Sequence, residues 1–368
     1  MKANQMKFDL IVIGGGSAGV RLARRSAGYG AKVAVVESAR MGGTCVHLGC
    51  VPKKLFVYGS HYSHDFADSA AYGWDVESKG FSWPTVRDNK STEIKRLNGI
   101  YKGLLDGAGV TTVHGTATIT GPNEVTVDGR AYSTERILVA TGSEPFVPEF
   151  PGSDLAITSN EAFYLDEFPK RALVVGGGYI AVEFAGIFNG LGVDTQLSYR
   201  GDMLLRGFDG GVRSFVTNEL VNSGIDVQLN TNVASIEASE SGGRTVHFAD
   251  GSTSHFDLVL YATGRRPRIE GLGLEAVGVE LTAAGAVQVG LVLGGRVDVH
   301  HESHVVDVDA TGGDVGRDQR FDLVGREVLQ RTGPLGLAAA TVDWGGLDVG
   351  PVELLGQTVS AVSRAGEH

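Results

Sequence analysis

Cysteine is almost missing from this chain: Cys45 and Cys50 are the only two in 368 residues. That count excludes a secreted domain held together by several disulfides. Long apolar runs are also missing, so no segment suits a bilayer span. The N-terminal stretch "MKANQMKFDLIVIGGG" passes straight into a strand-like run. It has no apolar segment followed by a small-residue cleavage site, so no signal peptide is expected. Basic charge is in deficit: the formal net charge is -11 and the pI near 5.4, which argues against a nucleic-acid binder. With 42% hydrophobic residues and a mean hydropathy of +0.02, the chain is expected to be a soluble, cytoplasmic enzyme. Its length is too great for one core and predicts two or three domains.

Glycine, by contrast, is abundant, and part of it is patterned. "FDLIVIGGGSAGVRLARR" (8–25) and "RALVVGGGYIAVEFAGIF" (171–188) each run from an apolar strand through three glycines into a helical pattern. Each is answered by a later strand ending in Ala-Thr-Gly, "RILVATGSEP" (136–145) and "LVLYATGRRP" (258–267). The period of about 160 residues marks a duplicated module, too long for a solenoid. The Pro-rich "PFVPEFPGS" (145–153) joins the copies. In the first, Gly14, Gly16 and Gly19 take the three positions of a dinucleotide-binding turn. They permit the tight turn, close approach of a pyrophosphate and helix–strand packing; the phosphates then meet a helix N-terminus. Glu37 ends the next strand, where a carboxylate binds a ribose hydroxyl pair.

The second copy carries Gly176, Gly178 and Ala181, but the position matching Glu37 is Tyr199. Arg200 and Arg206 follow in "SYRGDMLLRGFD". Guanidinium groups bind a 2′-phosphate that a carboxylate would repel. The acid therefore suits FAD and the arginines NADPH; the plain alternative is that both arginines are solvated surface charges.

The thiols lie in "GGTCVHLGCVPKK" (42–54). Along an ideal helix five steps rise roughly 7.5 Å, beyond the usual Cα separation of a disulfide. A bridge needs a distorted turn, for which Gly42, Gly43 and Gly49 give freedom. So small a loop is a poor staple. Zinc needs about four ligands, and only His47 is near. Redox chemistry is the remaining reading, with Lys53, Lys54 and a helix start favouring a thiolate.

This stretch resembles the redox-disulfide signature of the class I pyridine nucleotide–disulfide oxidoreductases, and within that family the glutathione-reductase branch. The likeness runs from about residue 7 to 289. It implies an α/β fold with two Rossmann-like dinucleotide-binding domains and FAD and NADPH as cofactors. Cys50 would be the flavin-proximal thiol, in charge-transfer contact with the isoalloxazine, and Cys45 the interchange thiol. Lys53 would lie by the flavin and pair with Glu183, and Tyr179 would cover the nicotinamide pocket. Ser17, Thr44, Thr141, Gly142 and Gly264 join the cofactor-binding residues. Arg24 and Tyr101 match substrate-site residues for glutathione disulfide. Trypanothione reductases carry an acid and a tryptophan where Arg21 and Arg24 stand, and dihydrolipoamide dehydrogenases an acid that selects NAD. Read without the resemblance, these are ordinary surface charges and packing residues.

Beyond "TAAGAVQV" (282–289) the likeness stops. The family continues to a Gly-Asp that binds the ribityl chain, then to an interface domain with a His-Pro motif. That histidine, backed by a glutamate, is the acid–base for thiol exchange. No His-Pro pair occurs here, and Gly313-Asp314 comes about seven positions late. Residues 290–368 contain no Ile, Lys, Met, Asn, Tyr or Cys. The first five types have AT-rich codons, so a GC-rich gene read in a shifted frame from near codon 290 would give such a tail. The interface domain is then missing or replaced, and the family's homodimer is not carried over to this chain. His300, His301 and His304 are read as an exposed polar run; no metal site is expected. The division expected is an FAD domain (1–149), an NADPH domain (150–269), a return segment (270–289) and a tail (290–368). The expected activity is NADPH-dependent reduction of glutathione disulfide. The alternatives are an NADPH diaphorase, another disulfide reductase of the family, or an inactive nucleotide-binding remnant.

Overall fold

The aliphatic run Lys7–Ile13 (β1) passes through three glycines into helix Ser17–Gly28 (α1) and strand Val33–Glu37 (β2). The short helix Gly43–His47 (α2), the long helices Cys50–Ser69 (α3) and Trp83–Gly107 (α4), and strands Thr111–His114 (β3), Ala117–Gly121 (β4), Glu124–Val127 (β5) and Arg130–Val139 (β6) follow. This computed structural model describes residues 7–77, 79–240 and 242–279, and the backbone of 290–293. Strands β3, β2, β1 and β6 run parallel, and β5 and β4 extend the sheet antiparallel. Alternate residues of β1 face opposite sides. Ile11 and Ile13 pack with Val36, Ile119 and Ile137, while Val12 packs with Val20, Ala23 and Leu105. A strand covered on both faces reads as an unbroken apolar run, which is why no polar alternation is seen in its sequence.

The second half repeats the plan. After Ser143–Pro145 (β7) and the short helix Ser159–Ala162 (α5) come Arg171–Val175 (β8), Tyr179–Gly190 (α6), Asp194–Tyr199 (β9), Gly210–Asn222 (α7) and Asp226–Leu229 (β10). An antiparallel trio, Val233–Ala238 (β11), Arg244–Phe248 (β12) and Thr253–Phe256 (β13), precedes Leu258–Tyr261 (β14). Strands β10, β9, β8 and β14 form a parallel sheet in that order. Strand Arg265–Pro267 (β15) then pairs antiparallel with β7. The chain therefore leaves the first half and returns to it through one two-stranded link.

The halves share an aromatic core. Phe56 from α3 and Trp83 from α4 lie 5.0 Å apart, and Phe163 and Phe184 beyond them 5.2 Å apart, all buried in one cluster. A Cβ on Gly190 would sit 2.8 Å from the Ser60 carbonyl, so α3 and α6 meet nearly backbone to backbone there. This packing aims the first turns of both helices at one place.

The return segment buries Leu272 and Leu274 in the first sheet's core. Strand Gly290–Leu293 (β16) pairs antiparallel with β6. The remaining readings on the tail, Gly313-Asp314 and the histidines at 300, 301 and 304 among them, fall outside the described residues. Among the described residues no helix is long and apolar enough to cross a membrane.

Candidate active site

The first glycine turn is built by contact. Gly14 has φ +110°, and a side chain there would run into the Ala140 carbonyl. A Cβ at Gly19 would strike the Gly14 carbonyl, which is how α1 approaches β1 so closely. Helix α1 starts at Ser17 with no side chain capping its first turn, leaving N–H groups for an anion. Glu37 stands at the end of β2. One carboxylate oxygen accepts the Gly15 N–H and the other the Ala39 N–H, both at 2.7 Å. Beside it opens a cavity of about 270 Å³ lined by Arg40, Met41, Asn98, Lys102 and His114. A carboxylate held rigid at the mouth of such a cavity suits a ribose whose base goes inside.

The second turn repeats the geometry with different chemistry. Gly176 (φ +145°) abuts the Ala262 carbonyl, Ala181 is fully buried, and Gly178 faces open space. Where Glu37 stands in the first half, the Tyr199 ring packs under Gly177, 2.6 Å from where a Cβ would be. Arg200 and Arg206 are exposed and, among the described residues, have no ion-pair partner. Tyr179 opens α6. The Ala-Thr-Gly ends serve the link between halves. The Thr141 hydroxyl donates to the Arg268 carbonyl, the Gly142 carbonyl accepts the Arg268 N–H at 3.0 Å, and the Gly264 carbonyl accepts the Phe146 N–H at 2.9 Å.

The thiols meet across a helix break. Helix α2 ends at His47, and α3 begins at Cys50 after non-helical Leu48 and Gly49. A break of this kind is what a bridge between the two would need, though both cysteines are free here. Gly43, at φ +58°, lies so close to the first turn that a Cβ on it would be 2.6 Å from Gly16 Cα. The loop bearing the sulfurs therefore leans on the first glycine turn. The His47 Nε2–H donates to the Met41 carbonyl at 2.9 Å, and the Tyr164 hydroxyl to the His47 carbonyl at 3.3 Å. Thr44 is exposed on α2.

Both cysteines are free thiols, and they are hydrogen-bonded to each other. The Cys50 thiol is lowered to about 6, chiefly by that bond from Cys45. A backbone N–H and the Lys53 charge add to the effect, while burial and Glu183 oppose it. Cys45 moves up instead: its bond to Cys50, burial and the Cys50 charge raise it, and a Ser17 hydroxyl offsets part of this. At neutral pH Cys50 is the thiolate and Cys45 the protonated donor.

Five further predicted residues lie in this region. The Lys53 ammonium bonds the Glu183 carboxylate at 2.7 Å across the join between halves, each side chain about a quarter exposed. Tyr101 on α4 is raised by burial and by Cys45 and Cys50, with Arg24 and a Ser17 hydrogen bond opposing. Tyr101 and Ser17 are thus neighbours of the sulfurs, and Arg24, exposed on α1, is a neighbour of Tyr101. Sequence reading put Ser17 with the cofactor contacts and missed its reach to Cys45 and Tyr101. It also missed the cavity side chains Asn98 and Lys102, whose one-turn spacing beside Tyr101 in "RLNGIYKG" was the available signal.

Comparison with known proteins agrees with this geometry. Residues 8–293 match the family model for pyridine nucleotide-disulphide oxidoreductase. A glutathione reductase of Burkholderia cepacia is 48% identical over 282 residues, covering 77% of this chain and 63% of that protein. The chloroplastic/mitochondrial glutathione reductase of Pisum sativum is 41% identical, covering 78% of the chain and 54% of that protein. A trypanothione reductase of Trypanosoma congolense is 39% identical, covering 84% and 66%. The chain thus spans between 54% and 66% of the length of these relatives. Two dinucleotide turns, a thiol pair beside the first, and a family match over both halves lead to one assignment: the chain belongs to the pyridine nucleotide-disulphide oxidoreductase family.

Proposed function

We propose that this chain is an NADPH-dependent flavoprotein disulfide reductase acting on glutathione disulfide. The observation that carries this is the bonded thiol pair set against the first glycine turn, with Cys50 poised as a thiolate. FAD fits the first turn, with its pyrophosphate at the start of α1 and its adenosine ribose on Glu37. NADPH fits the second, with the 2′-phosphate taken by Arg200 and Arg206 and Tyr179 over the nicotinamide. Thr44, Thr141, Gly142 and Gly264 complete the nucleotide contacts. When bound, the flavin carries two electrons from the nicotinamide to the sulfur pair.

The chain's own groups do the rest. Cys45 loses its proton as its sulfur attacks one sulfur of the substrate; the substrate S–S bond breaks and a mixed disulfide forms. The Cys50 thiolate then attacks Cys45, closing the internal bridge and expelling the second substrate thiolate. Each departing thiolate takes up a proton, so one disulfide, one NADPH and one proton become two thiols and NADP⁺. Lys53 stabilises the Cys50 charge, and Glu183 holds that ammonium in place. Arg24 attracts a substrate carboxylate, and Tyr101 lies along the same approach.

The test is one purified sample. A yellow protein that gains long-wavelength absorbance with NADPH, and oxidises NADPH only when glutathione disulfide is added, supports the proposal. Oxidation with dyes alone indicates a diaphorase, and a colourless product overturns the flavin assignment.

A further inference from the structure

The ten residues after β9 form an irregular loop, and its middle is fixed from three sides. Leu204 and Leu205 are buried in the core shared by α6 and α7. Leu205 has φ +53°, in the left-handed region that a leucine seldom adopts, and its N–H donates to the Gly177 carbonyl of the second glycine turn at 2.6 Å. The third anchor is Arg213, whose Nε donates to the Leu204 carbonyl at 2.7 Å and whose Nη2 donates to the Met203 carbonyl at 2.8 Å.

Arg213 is unusual where it stands. It lies in the first turn of α7, whose N-terminus Asp209 caps through the Gly211 and Val212 N–H groups. A cation there opposes the helix dipole, which favours anions at that end. It forms no salt bridge among the described residues; its rigid fork is spent on two successive loop carbonyls instead. The segment it grips is flanked by Arg200 and Arg206, both exposed. Arg206 directly follows the left-handed Leu205, so the direction in which it leaves depends on that conformation being held.

We infer that Arg213 is a positioning residue for nucleotide choice: by clamping the Met203 and Leu204 carbonyls it fixes Arg200 and Arg206 around a 2′-phosphate. The inference rests on the reading that the second turn takes a phosphorylated nucleotide. The Arg213 guanidinium is committed to those two carbonyls, so in this reading it acts through the loop and not on the nucleotide. Its effect is expected mainly on discrimination, because the glycine turn that would take the pyrophosphate is also held by its own contact with the Ala262 carbonyl.

The test is calorimetric titration of the full chain with adenosine 2′,5′-bisphosphate and with 5′-AMP, which needs neither flavin nor turnover. The wild type is expected to bind the bisphosphate at least about tenfold more tightly. Arg213→Ala should lose about tenfold for the bisphosphate and less than about twofold for 5′-AMP. Arg213→Lys keeps the charge and stem but not the fork, so it should fall between and serves alone if the alanine variant does not fold. Equal weakening of both ligands, or unchanged discrimination in the folded variants, overturns the inference and leaves the NADPH assignment intact. A wild type with no preference overturns both.

Discussion

Removing Cys45 should disarm Cys50, and the scarcity of cysteine makes the measurement clean, since either single variant leaves one thiol in the whole chain. The bond from Cys45 is the largest of the effects that bring Cys50 to about 6. A hydrogen bond to a charged group contributes about 1.5–3 kcal/mol net, or about one to two pKa units at 1.36 kcal/mol each. Cys45→Ala should therefore move Cys50 to about 7–8, lowering its thiolate share at pH 7 from about nine-tenths to between about a half and a tenth. Cys45→Ser retains an O–H donor and should stay near the reduced wild type. The assay is the pH midpoint of iodoacetamide labelling, followed by mass spectrometry. The midpoint is preferable to the rate at one pH, because the intrinsic nucleophilicity of a thiolate changes with its pKa. If the alanine and serine variants share a midpoint near 6, donation from Cys45 is not what stabilises the charge. If both titrate near 8, the geometry of the pair is at fault and not its hydrogen bond.

Other expectations follow from the same contacts. Lys53→Met should raise the Cys50 labelling midpoint and Glu183→Gln should lower it, because the cation stabilises and the anion opposes the thiolate; movement in the same direction contradicts that assignment. Lys90 is buried, donates to the Phe163 carbonyl at 2.8 Å, lies 3.8 Å from the Tyr164 ring centre, and is lowered by burial from 10.5 to about 8. Its charged form is the disfavoured one in the fold, so its cost is complete below pH 8 and lifts as the pH rises toward 10.5. Urea melts of wild type minus Lys90→Met should show wild type gaining about 2 kcal/mol between pH 7.5 and 9.5; a flat difference contradicts the coupling. Gly43→Val must fit a branched side chain at φ +58° against Gly16. It should cut bound flavin at least about tenfold by absorbance while the second turn keeps its nucleotide affinity.

What the sequence disclosed was local, and what it concealed was brought together over distance. Gly14, Gly16, Gly19 and Glu37 stand at spacings set by one turn and one strand, so their placement around the first turn was legible in order along the chain. The same spacing showed that Tyr199 could not do the work of Glu37. The separation of Cys45 and Cys50 implied that a bridge would need a distorted turn, and a helix break stands at Leu48–Gly49 with both thiols free. Lys53 and Glu183 are 130 residues apart in sequence. Their pairing was accessible only through family resemblance, because it depends on α3 closing against α6 at Ser60 and Gly190. Ser17 against Cys45, and Arg213 against the loop before α7, were not legible at all. A hydroxyl or guanidinium that reaches a sulfur or a carbonyl leaves no periodic trace. The antiparallel trio β11–β13 was passed over for a related reason, as its short strands carry weaker alternation than the buried parallel ones.

The touch between Gly16 and Gly43 binds two fates together. Neither bend can shift far without the other, so a ligand settling on the first would also restrict the bend bearing the sulfurs. A substitution that reshapes either bend is therefore expected to displace the other, even where it lies away from both cysteines.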